Sequence, residues 1–251
     1  MKIFYHDQFS NHYAHDPAAE PGRLDPALAT LKAKYPVFEP QPAAKEEVLL
    51  AHSEQHFERI AADQLLCNTA LLAAGSALTA AETAMKGEHA FALCRPPGHH
   101  ASYGSCWGFC YFNNVAIAVR SLLQLGEISS AIIVDFDLHY GDGTANIFKG
   151  EPAVSFWHSQ ESSPKAYIEI LDRALEDVRT DLVAVSAGFD RGVDDWGGML
   201  TAADYKRIGS LLGRYADKNC EGRLFAVLEG GYNARALAKN IAAFLEGLSA
   251  D

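Results

Sequence analysis

Cysteine and positive charge are both scarce in this chain of 251 residues. Its five cysteines are an odd number in a long chain, so we expect no disulfide framework. Lys and Arg together number 21 against 32 Asp and Glu, which gives a formal net charge of -11. Because nucleic-acid-binding surfaces are normally basic, this balance argues against nucleic acid as a partner.

Targeting signals and long hydrophobic runs are also missing. The N-terminal stretch MKIFYHDQFS lacks the apolar core of a signal peptide. We expect no segment to be long and apolar enough to span a bilayer. No linker, repeat or low-complexity segment divides the chain, so we expect a single domain over residues 1–251. The sequence therefore predicts a cytoplasmic protein without a membrane partner.

Three common catalytic motifs are absent. The chain contains no G-x-x-x-x-G-K-[ST] loop, no G-x-G-x-x-G after a strand and no G-x-S-x-G elbow. Cys106 and Cys110 have no second thiolate pair to complete a zinc site, so we interpret them as small buried hydrophobic residues. P-loop, dinucleotide and serine-hydrolase chemistries therefore lack support.

Short apolar runs alternate with longer segments of helical period, which predicts an α/β fold with a mostly parallel sheet flanked by helices. The predicted strands cover residues 2–5, 90–94, 131–136, 153–157, 182–186 and 224–229, with a weaker candidate at 48–51. The predicted helices cover residues 26–34, 53–62, 69–86, 113–125, 165–178, 202–217 and 234–248. The last helix is expected to begin near Asn233.

Chemically active side chains follow four of these strands. Ligands of open parallel sheets bind at the carboxyl ends of the strands, so these groups are expected to form one site. In chain order they are His99 and His100, then Asp135, Asp137, His139 and Asp142, then Asp190, and finally Tyr232.

Asp137 and His139 have the i, i+2 spacing that places two side chains on one face of an extended segment. With Asp190 they make three ligands, the number with which a catalytic zinc site leaves a position for water or substrate. Asp and Gly are also ordinary turn residues after strands, which is the alternative interpretation. The neighbouring histidine pair favours the metal site.

The remaining groups match the needs of hydrolysis. A metal-bound water needs a general base and a leaving amine needs a general acid, and His99 and His100 can supply both. Asp135 and Asp142 are left to orient the two imidazoles. Tyr232, after a Gly-Gly turn, can donate a hydrogen bond to an oxyanion. The pattern indicates metal-assisted hydrolysis.

Five motifs in order resemble the zinc-dependent histone deacetylase family, which includes bacterial acetylpolyamine amidohydrolases and has an arginase-like α/β fold. They are RPPGHHA, GFCYFNNVAIA, DFDLHYGDGT, SAGFD and LEGGY. The resemblance is strong from about residue 85 onward and weak before it. The GFCYFNN and SAGFD motifs are similar to those of the family's class II branch.

The resemblance implies a role for each site residue. It implies zinc on Asp137, His139 and Asp190. It makes His99 the base, supported by Asp135, and His100 its partner, supported by Asp142. Tyr232 would clamp the scissile carbonyl, the backbone of Gly108 would accept the substrate amide N–H, and Phe109 would form one wall of the channel.

The resemblance also implies a structural monovalent cation, usually potassium, near the strand that carries Asp135, with Ser155 as a candidate ligand. Arg23 is a candidate for an arginine behind the site.

The chain departs from the family in its shortened loops, which predicts a more open, shallow site. Asp63 is a candidate to replace a substrate-binding aspartate. Trp157 and His158 are candidates for the wall opposite Phe109. Trp196, in DDWGG, is expected near the rim unless it serves ordinary packing.

We therefore predict a zinc-dependent amidohydrolase that removes an acetyl or other acyl group from an amine such as acetyl-lysine in a peptide or an acetylpolyamine. A monomer is expected. The alternative is a degenerate acyl-lysine or metal-binding module without efficient turnover. A two-metal ureohydrolase of the same fold would need a second aspartate two residues after Asp190, where Gly192 stands.

Overall fold

The structure, a computed structural model, describes residues 1–176 and 178–249. Seven parallel strands form one sheet in the order β2-β1-β3-β7-β6-β4-β5. The strands are β1 (Lys2–Phe4), β2 (Val37–Phe38), β3 (Ala90–Ala92), β4 (Ala131–Asp135), β5 (Val154–Trp157), β6 (Leu182–Ala187) and β7 (Leu224–Leu228). The predicted α/β fold with a parallel sheet is confirmed.

The helices flank this sheet. In the described residues, each of the seven predicted helices is found with ends that agree to within a few residues, whereas the short helices at residues 45–48 and 142–147 were not predicted. They are α1 (Asp25–Lys32), α2 (Lys45–Val48), α3 (Glu54–Ala61), α4 (Gln64–Ala84), α5 (Asn114–Gln124), α6 (Asp142–Ile147), α7 (Pro164–Glu176), α8 (Ala202–Asn219) and α9 (Ala234–Leu248). The helix predicted over 165–178 includes residue 177, which lies outside the described residues. The α9 helix is capped by Asn233, as predicted.

The central strands β4, β6 and β7 are buried along their whole length. A parallel sheet covered on both faces selects nearly continuous apolar runs, which is why the sequence revealed these strands. The two-residue edge strand β2 gave no such run and was missed. The strand predicted at 48–51 is wrong, because Val48 ends the short helix α2 and turns follow it.

The expectation that no segment could span a bilayer needs correction. Helix α4 has 21 residues and contains an apolar 18-residue window with a mean hydropathy of 1.3, which is long and apolar enough by length and composition. However, 67% of that apolar window is buried inside the protein. Packing in the core accounts for the composition of α4, since a buried helix meets the same criterion.

Asp63 lies directly before α4 and is exposed. Its Oδ1 atom accepts a hydrogen bond from the backbone N–H of Leu66 at 3.1 Å, so its side chain caps the helix. The role of Asp63 in substrate binding stays a prediction. The cap also explains why α4 begins earlier than the predicted residue 69.

The sheet order decides where the polar loops meet. Strands β3, β7, β6 and β4 are neighbours in that order, and all of them run in the same direction. Their carboxyl ends therefore lie side by side, and these ends, with the segments directly after them, carry all the residues that the sequence singled out as catalytic or zinc-binding.

Candidate active site

Three potential metal ligands meet after β4 and β6. The Nδ1 atom of His139 lies 3.2 Å from Oδ1 of Asp137 and 3.1 Å from Oδ2 of Asp190. Both carboxylates are buried, whereas the imidazole is partly exposed. Tetrahedral zinc with bonds of about 2.0–2.1 Å holds its ligand atoms about 3.3 Å apart. The spacing of these three side chains fits such an ion.

Main-chain groups orient both carboxylates. Asp137 accepts hydrogen bonds from the N–H groups of His139 at 2.9 Å and Gly230 at 2.8 Å, and Asp190 accepts one from Leu138 at 2.9 Å. The other oxygen of Asp190, Oδ2, is buried and faces Nδ1 of His139 at 3.1 Å. A buried carboxylate oxygen needs a donor or a cation beside it, so this atom also fits a metal ion that the two side chains share.

The pKa values of His139 and Asp190 are both raised, which shows that the metal-free site favours additional positive charge. Hydrogen bonds to Asp137 and Asp190 raise the pKa of His139 to about 10. Burial and the nearby Asp137 carboxylate raise the pKa of Asp190 to about 6. Without a metal, a proton on the imidazole supplies part of the charge that a divalent ion would bring.

His99 pairs with Asp135, as the resemblance implied. Its Nδ1 atom lies 3.0 Å from Oδ2 of Asp135, and both side chains are buried. Burial alone would lower the pKa of His99, but the carboxylates of Asp137 and Asp135 outweigh it and raise the pKa well above the usual value. In the metal-free site, these two carboxylates therefore favour the protonated form of the imidazole.

His100 pairs with Asp142, the first residue of α6, at 2.7 Å between Nδ1 and Oδ1. Burial and the charge of His99 lower the pKa of His100 to about 4. The two adjacent rings lie 4.0 Å apart between centroids. Their opposite pKa shifts make His100 the neutral member of the pair at pH 7.

Trp107 also belongs to this group, although the sequence interpretation gave it no role. Its indole N–H donates to Oδ2 of Asp142 at 2.9 Å, and its ring centroid lies 3.9 Å from that of His100. The ring is 56% exposed. A large aromatic residue directly before the Gly108-Phe109 motif was the signal that could have identified it.

The site opens into a cavity of about 130 Å³. Phe109 meets the ring of Tyr232 edge-on at 6.0 Å, and Tyr232 stacks on Trp196 at 3.9 Å. The residues that line the cavity are Pro97, His99, His100, Trp107, Gly108, Phe109, His139, Trp196, Gly230 and Tyr232. Trp107 and Trp196, both about half exposed, form part of its walls, so Trp196 lies at the rim as the sequence predicted.

The predicted partners of Phe109 across the cavity lie elsewhere. Trp157 packs against Tyr167 at 5.5 Å between ring centroids. His158 is buried beneath the site. Neither lines the cavity, so both candidates for the opposite wall are wrong.

Two buried ionisable residues, Glu229 and Arg23, fix the turn that carries Tyr232. Oε2 of Glu229 accepts hydrogen bonds from the N–H groups of Gly98 at 2.6 Å and His99 at 3.1 Å, and burial raises the pKa of this carboxyl to about 7. Arg23 donates to the carbonyl oxygens of Glu229 and Gly231, each at 2.7 Å. The sequence gave Arg23 as a candidate and missed Glu229, whose place at the end of an apolar strand was the available signal.

Gly230 is expected to be essential for the geometry of the ligands. A Cβ atom there would lie 2.6 Å from Oδ2 of Asp137 and 2.8 Å from Oδ2 of Asp190. Gly230→Ala should therefore reduce zinc affinity by about 10–100-fold, the usual effect of disturbing groups that orient a ligand. Competition with a zinc chelator of known affinity measures this change. Gly104→Ala is the control, since a Cβ there meets only Ser53 Oγ at 3.9 Å, and equal affinities of the two variants would refute the expectation.

The fold and this site are those of a deacetylase, and the chain belongs to the histone deacetylase family. The family model described as "Histone deacetylase domain" matches residues 60–167 and 158–248 of this chain. This confirms the resemblance inferred from the five motifs.

Individual relatives extend the match over most of the chain. A probable deacetylase of Archaeoglobus fulgidus is 32% identical over 249 residues, covering 78% of this chain and 69% of that protein. Polyamine deacetylase HDAC10 of Mus musculus is 29% identical, covering 83% of this chain and 40% of that protein. The crystal structure of the HDA15 HD domain superimposes with a TM-score of 0.87 at 25% identity, over 98% of this chain and 88% of that one.

Proposed function

We propose that the protein is a zinc-dependent amidohydrolase that removes an acetyl or other acyl group from an amine. The observation that carries this proposal is the convergence of three ligand atoms and two His–Asp pairs on one small cavity. Membership of the histone deacetylase family supports hydrolysis of an acylated amine. The identity of the metal rests on the chemistry of the ligands.

Asp137, His139 and Asp190 would hold the zinc ion. One imidazole and two carboxylates with space beside them are a ligand set that zinc accepts in catalytic sites. When bound, zinc polarises the acyl carbonyl and makes water more acidic.

The pKa directions suggest a division of labour between the two histidines that reverses the one implied by the resemblance. His100 is neutral at pH 7, so it can accept the proton of the attacking water and later deliver it to the departing amine. Asp142 keeps its imidazole in the required tautomer. With Asp137 bound to zinc, the pairing with Asp135 is what favours the protonated form of His99, which would stabilise the negative charge that develops on the acyl oxygen.

Three further groups position the substrate. The Tyr232 hydroxyl would donate to the oxyanion as the acyl carbon becomes tetrahedral. Burial, and next the charge of Asp137, raise the pKa of this phenol, so it stays a donor at every working pH. The carbonyl of Gly108 would accept the substrate amide N–H, while the ring of Phe109 would pack along the alkyl chain.

The most suitable substrates are acylated amines that carry a positive charge elsewhere in the molecule, such as acetylpolyamines or basic acetyl-lysine peptides. Trp107 and Trp196 are half-exposed at the cavity, and aromatic faces attract ammonium groups. The net charge of -11 supports the same preference. One relative of this chain is named a polyamine deacetylase.

Release of acetate tests the proposal directly. We expect zinc-loaded protein to turn over an acetylpolyamine, an acetyl-lysine peptide, or both, and a hydroxamate to inhibit that turnover. Protein with confirmed zinc that hydrolyses neither of these, nor longer acyl homologues, would instead support the acyl-lysine or metal-binding module. A cytoplasmic location and a monomeric state stay predictions from the sequence, the second testable by light scattering.

Zinc affinity is expected to rise with pH. The neutral imidazole of His139 is the metal ligand, but in the metal-free protein its pKa is raised to about 10. Binding must therefore release a proton, and the apparent affinity should increase about tenfold per pH unit between pH 6 and 8. Zinc competition titrations at constant ionic strength measure the slope. An affinity that does not change over this range would show that His139 does not lose a proton when the protein binds zinc.

A further inference from the structure

A buried arginine side chain lies next to the loop that carries the candidate metal ligands. Arg191, the residue after Asp190, is only 3% exposed. Its Nε donates to the carbonyl oxygens of Phe136 at 3.2 Å and Asp137 at 2.9 Å. Its Nη2 donates to the carbonyl oxygens of Leu138 at 3.4 Å and Ser159 at 2.7 Å. One guanidinium thus binds three successive carbonyls of the loop that carries the ligands.

This arginine has no carboxylate partner within 4.0 Å in the residues that the structure describes. Instead, its charge is met by main-chain oxygens and by the ring of Tyr167, 5.0 Å below it. Backbone carbonyls that surround a positive charge are the environment in which proteins bind potassium. Here the charge belongs to a side chain.

The predicted potassium ion does not fit this chain. Its candidate ligand Ser155 is exposed on the edge strand β5. The carbonyls that follow Asp135, at residues 136–138, already accept hydrogen bonds from Arg191. An ion in contact with the same oxygens would meet the guanidinium as a like charge.

We propose that Arg191 replaces the monovalent cation, so that metal binding and catalysis by this protein do not depend on potassium. The proposal rests on the metal site named under the proposed function. Arg191 is a positioning residue, because it acts through the backbone of the ligand loop.

Arg191 also contacts His158, which lies next to the pair of Asp135 and His99. Its Nη2 lies 3.3 Å from Nε2 of the buried His158. Because a guanidinium can only donate, Nε2 must accept, and the proton of this imidazole is on Nδ1. That Nδ1 lies 4.0 Å from Oδ1 of Asp135, whose other oxygen holds His99. Arg191 therefore fixes the tautomer of the ring next to this carboxylate.

The first test uses the wild-type protein. Its melting temperature and zinc affinity are measured in potassium chloride and in choline chloride at equal ionic strength, and we expect no difference. A bound potassium ion at 100 times its Kd would raise the melting temperature by about 5–10 °C in a protein of this size. A rise of that kind, specific to potassium, would overturn the proposal.

The second test asks whether removal of the side chain creates a need for potassium. Arg191→Ala in choline chloride should bind zinc about 10–100-fold more weakly than the wild type. Potassium chloride should restore much of this affinity, and lithium chloride should not. Arg191→Lys, which keeps the charge, should lose less. Unchanged zinc affinity in Arg191→Ala, or a loss that potassium leaves in place, contradicts the replacement.

Arg120→Ala is the matched control, since Arg120 also donates to a main-chain carbonyl but lies on the surface away from the site. It should show no response to potassium. If Arg191→Ala does not fold, the wild-type comparison still decides the question. Neither test measures turnover. If no deacetylation were found, the effect of potassium on zinc affinity and melting temperature could therefore still be interpreted.

Discussion

His139→Ala is expected to lose zinc and all measurable hydrolysis. The substitution removes the only nitrogen among the three ligand atoms and leaves Asp137 and Asp190 as two buried carboxylates. Disturbing only a group that orients a ligand costs about 10–100-fold in affinity, so loss of the ligand should cost more than about 100-fold. Zinc content after dialysis, with circular dichroism to verify folding, measures the effect.

His89→Ala provides the matched control. His89 also pairs with an aspartate, Asp217 at 3.3 Å, but at the opposite end of β3 from the site. This variant should keep its zinc and its activity. Stoichiometric, tightly held zinc in folded His139→Ala would mean that the ion binds elsewhere, and the assignment of the three ligands would be wrong.

Tyr232→Phe is expected to lower kcat by about 10²–10³, the usual result of removing one oxyanion donor. The substitution keeps the aromatic ring and therefore its contacts with Phe109 and Trp196. Zinc content, melting temperature and the affinity for a substrate that is not turned over should change little. Steady-state acetate release, compared with zinc content on the same samples, measures the effect.

Tyr215→Phe is the corresponding control, because its hydroxyl donates to the carbonyl of Val178 on a distant surface. It should be fully active. Near-normal turnover by Tyr232→Phe would exclude oxyanion donation by that hydroxyl. Loss of zinc in this variant would assign Tyr232 a structural role instead.

The two variants separate two contributions to the same site. His139→Ala tests whether the ligands hold a metal, and Tyr232→Phe tests whether a metal-loaded site needs an additional donor. A loss of kcat with normal zinc content in the second variant, together with zinc loss in the first, fits the proposed amidohydrolase. Zinc binding without turnover in the wild type would leave only the metal-binding module.

Sequence reasoning was most accurate where a single local pattern carries the information. The apolar runs of β4, β6 and β7 revealed the sheet because their whole length is buried. It failed at the edge strand β2 and at residues 48–51, where two or four residues are too few for a pattern. It also missed Trp107 and Glu229, because each acts through a partner more than 30 positions away in the chain.

The sequence by itself determined the parallel α/β fold, the family and the set of polar groups at the carboxyl ends of the strands. Periodicity and motif order are properties of the chain, so no coordinates were needed. Only the tertiary structure decided that β3, β7, β6 and β4 are neighbours, that the neutral imidazole is His100, and that a guanidinium lies where potassium was predicted. Those features depend on distances and burial between distant residues, and a one-dimensional pattern does not contain them.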